Sequence, residues 1–324
     1  MLMSVLLFAV GLVLLIKGGD WFVDGATGIA KRFNLPDIVV GATVVSIGTT
    51  LPEVMVSTTG ALQGSGAMAY GNAIGSIICN TALIAAISII FNPGPVNTKS
   101  MKTPAIFFFC SAALYCVASY ILGEFPRWMG FVMLGIFVVY TVLTVRNGLK
   151  NPDAVEEEEE EGGKEKSMGM LLVLLVVGAA VIAVGADLLV EHGQIIAIGL
   201  GVPETVVALL FVALGTSLPE LVTTITSLRS GHASLGVGNV IGANVFNLVL
   251  VSGVAVSLAP FPVPCENTLL NTGLNMSLVF EIPVMLGVMS LMIFPALATK
   301  KLQRWQGIAL LAIYIAFCVC QFVL

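Results

Sequence analysis

Ten apolar stretches, each about the length a helix needs to cross a bilayer, follow one another along the 324 residues with short polar breaks between them. They fall at 2–32, 36–62, 67–91, 103–122, 126–146, 168–199, 204–228, 234–259, 275–298 and 305–323. In hydrocarbon every backbone N–H and C=O must find its partner within the protein, so stretches of this kind fold as membrane helices. Composition agrees: 10% of the residues are charged and 57% hydrophobic, against roughly a quarter charged in a soluble domain. The expected fold is an all-α integral membrane protein of ten transmembrane helices. The first and sixth stretches, at about 1.5 Å per residue, are longer than the hydrocarbon core and must tilt or run beyond it. The opening MLMSVLLFAVGLVLLIK has no leading basic residue and no small-residue cleavage site, so it reads as a retained helix.

Basic residues orient the bundle. Lys31, Arg32, Lys99, Lys102, Arg146, Lys150, Lys164, Lys166, Arg229, Lys300, Lys301 and Arg304 fall on one side of these spans. The other side receives Arg127, and Lys17 lies within the first span. By the positive-inside rule this predicts a multi-pass cell-membrane protein with both termini outside and its central loop in the cytoplasm. The basic residues form no stripe, which excludes nucleic-acid binding. The net charge of -5 is more than accounted for by the run Glu156–Glu161, whose self-repulsion marks a solvated connector. The six cysteines form no CxxC pair and mostly sit in apolar runs, where they read as small hydrophobes.

The chain also repeats itself. At an offset of 167 residues, Gly48-Thr49-Thr50-Leu51-Pro52-Glu53 falls on Gly215-Thr216-Ser217-Leu218-Pro219-Glu220 without a gap. Gly71-Asn72-Ala73-Ile74-Gly75 falls on Gly238-Asn239-Val240-Ile241-Gly242, and Asn80 on Asn247. Pro36 meets Pro203 and Asp20 meets Asp187 in the same register. The division expected is a first repeat at 1–147, an acidic cytoplasmic loop at 148–167 and a second repeat at 168–324. Each repeat holds five spans, an odd number, so the second enters the membrane inverted. Two inverted five-helix repeats are an architecture of secondary transporters, which bind substrate at the repeat interface near the midplane.

Chemistry concentrates in the repeated motif. Pro52 and Pro219 supply no N–H and release the carbonyls of Gly48 and Gly215, and broken backbone at this depth survives only inside protein or beside a water-filled cavity. Glu53 shares a helical face with Thr49 and Ser46, and Glu220 with Thr216, with Ala213 in place of the serine. A carboxylate at mid-membrane costs about 2.5–3.5 kcal/mol on insertion scales, so two of them require compensation. The third span adds Asn72, Ser76 and Asn80 at four-residue spacing, and the eighth adds Asn239 and Asn247. The small-xxx-small pairs Gly71/Gly75 and Gly238/Gly242 let these helices approach closely. The ligand set is all oxygen, which suits hard cations, and flexible carboxylates favour Ca²⁺ over Mg²⁺. Two glutamates balance one divalent ion, and Na⁺ can compete for the same oxygens. Asp20, Asp24, Asp187 and Glu191 read as helix pairing or pathway lining, Glu281 as facing the interface or a polar partner, and His192 and His232 as plain span-end residues.

The paired GT[TS]LPE motifs, each followed by GN[AV]IG and a downstream asparagine, resemble the cation/calcium exchanger superfamily, and most of all its prokaryotic sodium/calcium antiporters. The resemblance covers nearly the whole chain. It implies Glu53 and Glu220 as the Ca²⁺ carboxylates. It implies further oxygens for Ca²⁺ or Na⁺ from Thr49, Thr50, Ser76, Asn80, Thr216, Ser217 and Asn247, and from the backbone carbonyls of Ser46 and Ala213. It also implies sliding of the first and sixth helices past a fixed core. Potassium-dependent members carry aspartate at the position of Asn247, which argues against K⁺ co-transport.

The expectation is therefore a Na⁺/Ca²⁺ antiporter working by alternating access, with Ca²⁺ and Na⁺ competing at Glu53 and Glu220. Its substrates are these ions and its surroundings the lipid bilayer, with no cofactor, no enzymatic activity and no obligatory protein partner. The alternative is H⁺/Ca²⁺ exchange at the same glutamates. An intramembrane hydrolase lacks a base beside Ser46 or Ser217, and a passive channel fits a two-carboxylate site less well than a carrier does.

Overall fold

The structure is a computed structural model that describes residues 2–150, 166–199, 215–264 and 274–323. It is almost wholly helical. The helices are α1 (Leu2–Arg32), α2 (Asp37–Leu62), α3 (Gly66–Phe91), α4 (Thr98–Leu122), α5 (Arg127–Leu149), α6 (Met168–Gly199), α7 (Leu218–Arg229), α8 (Ala233–Leu258), α9 (Ser277–Thr299) and α10 (Arg304–Val323). Among the described residues nine are long and apolar enough to span a membrane. The remaining expected span, 204–228, is represented by α7, and its earlier part lies outside the described residues.

Most boundaries agree with the sequence within a few residues. The exception is α4, which starts at Thr98 where the apolar pattern starts at 103. Asn97 is the cause: its side chain accepts from the backbone N–H groups of Lys99 and Ser100, capping two orphan donors and letting the helix begin among lysines.

Among the described residues, four two-residue strands close the ends of the bundle and reveal how the halves are related. Strand β1 (Gly94–Pro95) pairs antiparallel with β4 (Lys301–Leu302), and β2 (Glu124–Phe125) with β3 (Phe261–Pro262). By the repeat offset β1 is the counterpart of β3, and β4 follows the last-but-one helix of its half as β2 does. Yet α4, a span of 25 residues, separates β1 from β2. The two small sheets therefore sit at opposite ends of the bundle, and counterpart strands lie at opposite ends. The halves are inverted. Leu302 and Phe125, the counterpart residues of the two pairings, are both buried.

Helices α1 and α6 lie against each other antiparallel along a seam of glycines. A Cβ on Gly11 would come within 2.9 Å of the Gly185 carbonyl oxygen, and one on Gly185 equally close to that of Gly11. Gly18 meets the Ile182 backbone at 2.9 Å and Gly25 the Leu175 backbone at 2.7 Å. Glycines seven residues apart on α1 thus let two long helices touch backbone to backbone, as small residues do in lipid. The pair rests on the core through Phe22 against Gly48 and Gly19 against Thr226.

The core itself is α2, α3, α7 and α8. Here α2 and α8 run parallel and very close: a Cβ on Gly41 would run into the Leu235 carbonyl oxygen, and one on Gly238 into that of Ile38. Helix α8 is the most enclosed of the described spans, with Leu235 through Val249 buried without interruption.

Candidate functional site

The two motifs meet in the middle of this core. Glu53 and Glu220 are both fully buried, at 0% exposure. Neither carboxylate has a hydrogen-bond partner among the described residues. Around them Ser46, Thr49, Thr50, Ser76, Asn80, Ser217 and Asn247 are all buried, and Thr216 is half-buried. Ala213 lies outside the described residues.

Local backbone explains why so many polar groups converge. In α2 a π-type turn over Gly41–Val45 leads into Ser46, whose hydroxyl donates to the Gly41 carbonyl at 2.7 Å. Pro52 then stands inside the helix and leaves the Gly48 carbonyl without its usual donor. In α3 and α8 π-type turns begin at Asn80 and at Asn247, the two counterpart asparagines. Such wide turns are uncommon and recur at functional sites. The turn at Asn247 is closed by Ser252, whose hydroxyl donates to the Asn247 carbonyl at 3.0 Å. In the second half Pro219 opens α7 and Glu220 sits in its first turn, where the helix N-terminus favours negative charge.

Unsatisfied polar atoms mark the cluster. Buried without a partner among the described residues are Thr50 Oγ1, Ser217 Oγ, both amide atoms of Asn80 and of Asn247, and all four carboxylate oxygens. In a native interior nine-tenths or more of such groups are paired, and an unpaired one requires an explanation. Each of these atoms is either an oxygen or belongs to an amide that also carries one, so the set fits a hard cation. With only two acidic side chains, neutral oxygens would have to complete the shell.

Other residues join the cluster that the motif itself does not name. Thr223, Thr224 and Ser227 follow Glu220 on one face of α7 and are buried with unpartnered hydroxyls among the described residues. Their spacing of three, four and seven from Glu220 was the legible signal. Asn244 donates to Thr81 at 2.7 Å, across the halves. Asn72 and Asn239 also bond across the halves: Thr49 donates to Asn239 Oδ1 at 3.2 Å, and Thr216 to Asn72 Oδ1 at 3.3 Å.

Charged residues outside the core behave variously. Lys17 pairs with Asp20 at 3.7 Å, as the spacing suggests, and Lys166 with Asp24 at 2.8 Å. Glu281 accepts from Gln321 at 3.2 Å. His232 corrects the sequence reading. Its Nδ1 lies 2.6 Å from Asp37 Oδ2, with both side chains mostly buried, and the pair ties the start of α8 to the start of α2. Asp37 and His232 are 195 residues apart, so no local pattern could show it. Asp37 also lines a cavity of about 270 Å³ with Ser88, Asn92 and Asn97 at the same end of the bundle.

Residues 3–146 and 170–323 match the family described as sodium/calcium exchanger protein. The chain belongs to this family. It is 30% identical to the sodium/calcium exchanger MaX1 of Methanosarcina acetivorans over 98% of each chain. It is 34% identical to an uncharacterized membrane protein of Methanocaldococcus jannaschii over 95% of this chain and 94% of that one. A solved structure of the sodium-calcium exchanger NCX_Mj, soaked with Na⁺ and Sr²⁺, superposes with a TM-score of 0.79 at 33% identity, over 97% of each chain. The family is one of multi-pass membrane ion exchangers, and this exchanger shares its all-helical fold.

Proposed function

We propose that this exchanger trades Na⁺ for Ca²⁺ by alternating access, with both ions competing for oxygens centred on Glu53 and Glu220. The observation that carries the reading is the pair of fully buried carboxylates without a hydrogen-bond partner among the described residues. Two ionised carboxylates in a medium of low dielectric are unstable alone, and one Ca²⁺ or several Na⁺ would neutralise them. Thr49, Thr50, Ser76, Asn80, Thr216, Ser217 and Asn247, with the carbonyls of Ser46 and Ala213, would supply the remaining oxygens. MaX1 and NCX_Mj, both described as sodium–calcium exchangers, support the choice of ions.

Coupling follows from the same electrostatics. A carrier loaded with either cation presents a nearly neutral core to the moving helices, whereas an empty one would carry two bare charges past an apolar gate. Only loaded carriers switch, so each Ca²⁺ that leaves requires Na⁺ to return. The glycine seam lets α1 and α6 move as one body against the core, because its contacts are backbone to backbone and independent of long side chains. The chain divides into repeats 1–147 and 168–324 about the acidic segment 148–167. The excess of lysine and arginine at one end supports a cytoplasmic position for that segment, with both termini outside.

The test is Ca²⁺ uptake into proteoliposomes under an outward Na⁺ gradient, with Glu53→Gln and Glu220→Gln as variants. Loss of uptake in both, with folding intact by size-exclusion chromatography, is expected. Uptake retained in either variant would overturn the assignment of the glutamates, and uptake that follows a pH gradient without Na⁺ would make the exchanged ion a proton.

A further inference from the structure

A hydroxyl has one proton and two lone pairs, so it can turn a lone pair to a cation only if its proton is delivered to an acceptor elsewhere. Thr49 and Thr216 have such acceptors. The Thr49 hydroxyl donates to Asn239 Oδ1 at 3.2 Å, with the Ser46 carbonyl a longer second acceptor at 3.5 Å, and the Thr216 hydroxyl donates to Asn72 Oδ1 at 3.3 Å. In both cases the acceptor is the asparagine of the GN[AV]IG segment in the opposite half. Asn72 is itself fixed, because its Nδ2 donates to the Glu53 carbonyl at 3.2 Å and to Ser57 Oγ at 2.8 Å. A carbonyl can only accept, so the amide cannot be turned over and its oxygen must face Thr216. The same asparagine thus holds the backbone of one glutamate and the hydroxyl beside the other.

Resting on the ion-binding reading above, we propose that Asn72 and Asn239 are positioning residues that set the hydroxyl rotors of Thr216 and Thr49 across the boundary between the halves. They need not touch the ion. Their effect falls first on Na⁺, because a divalent ion draws most of its binding from the two carboxylates and a monovalent one leans more on neutral oxygens. The cross-half geometry also means that each threonine is correctly oriented only while the two halves are in register.

The experiment is a double-mutant cycle on the full chain in proteoliposomes, reading the Na⁺ concentration at half-maximal Ca²⁺ exchange. Thr49→Val, Asn239→Ala, the double variant and the wild type are compared, with melting temperature in detergent recorded for each. Each single variant is expected to raise the half-saturating Na⁺ by about three- to tenfold, the scale of one hydrogen bond. The double variant is expected to be no worse than Thr49→Val alone, since without the hydroxyl there is no rotor to set. Multiplicative effects in the double variant would overturn the proposal, because Asn239 would then act independently of Thr49. Thr49→Ser keeps the hydroxyl and should restore sensitivity to Asn239→Ala. The cycle on Thr216→Val and Asn72→Ala repeats the test at a half-buried position, should Asn239→Ala not fold. In a wild type that exchanges Ca²⁺ for protons, the cycle is read on Ca²⁺ half-saturation instead. There too a non-additive double variant supports the proposal and a multiplicative one overturns it. A wild type with no Ca²⁺ exchange at all would overturn the underlying reading and the proposal with it.

Discussion

The two halves carry one motif and fold it differently. In the first half GTTLPE lies inside a helix that runs from Asp37 to Leu62, with the proline mid-course. In the second half α7 begins at Leu218, so the glutamate stands in a first turn. The supporting segments differ in the same way. Gly238 and Gly242 of α8 are buried, and a Cβ on Gly242 would lie 2.6 Å from Ala42 Cα. Asn72 uses both its amide groups, whereas Asn239 Nδ2 and Thr224 Oγ1, the counterpart of Ser57, are buried without partners among the described residues. One motif thus sits in two polar settings, satisfied beside Asn72 and unsatisfied beside Asn239 among the described residues.

The largest expected effect treats the halves alike. Glu53→Gln and Glu220→Gln should each lower Ca²⁺ exchange by at least about a hundredfold, or roughly 2.7 kcal/mol, because the cation needs both charges. A large difference between the two variants would break the equivalence of the glutamates. Packing comes next and should separate the halves. Gly238→Ala forces a methyl into the Ile38 carbonyl and should destabilise the protein by about 1–3 kcal/mol in a denaturation series. A loss below about 0.5 kcal/mol would show that the close approach of α2 and α8 relaxes at little cost. His232→Ala breaks the ion pair that pins the start of α8 to the start of α2, at a cost of about 1–3 kcal/mol, less than for a fully buried pair. Its counterpart Ser65→Ala should change stability little. The smallest effects test the polar shell. Ser57→Ala should cost about 0.5–1.5 kcal/mol by removing the acceptor of Asn72, while Thr224→Val is neutral or stabilising.

Much of this was legible in the sequence, and for physical reasons. Membrane spans announce themselves because hydrocarbon demands about 20 apolar residues in a row. The glutamates stood out because a carboxylate within such a row is costly and therefore rarely incidental. Proline after Leu51 and Leu218 marked where the backbone breaks. What stayed hidden depends on contacts between distant segments or on fine backbone geometry. The π-type turns at Asn80 and Asn247 leave no mark in hydropathy. The early start of α4 turns on one capping asparagine among lysines, which a hydropathy pattern reads as loop. His232 looks like an ordinary span-end residue until α2 and α8 are brought side by side, and the bonds of Asn72 and Asn239 to the opposite threonines exist only in the assembled core.

The most direct test of the account is the flux itself. Purified protein is reconstituted into liposomes loaded with Na⁺, with choline or with acid, and entry of radioactive Ca²⁺ is followed after dilution into Na⁺-free buffer at neutral pH. Rapid Ca²⁺ entry is expected only into Na⁺-loaded liposomes, and none when either glutamate is replaced by glutamine. Entry into choline-loaded liposomes at the same rate, or entry that survives the loss of Glu53 or Glu220, would contradict it.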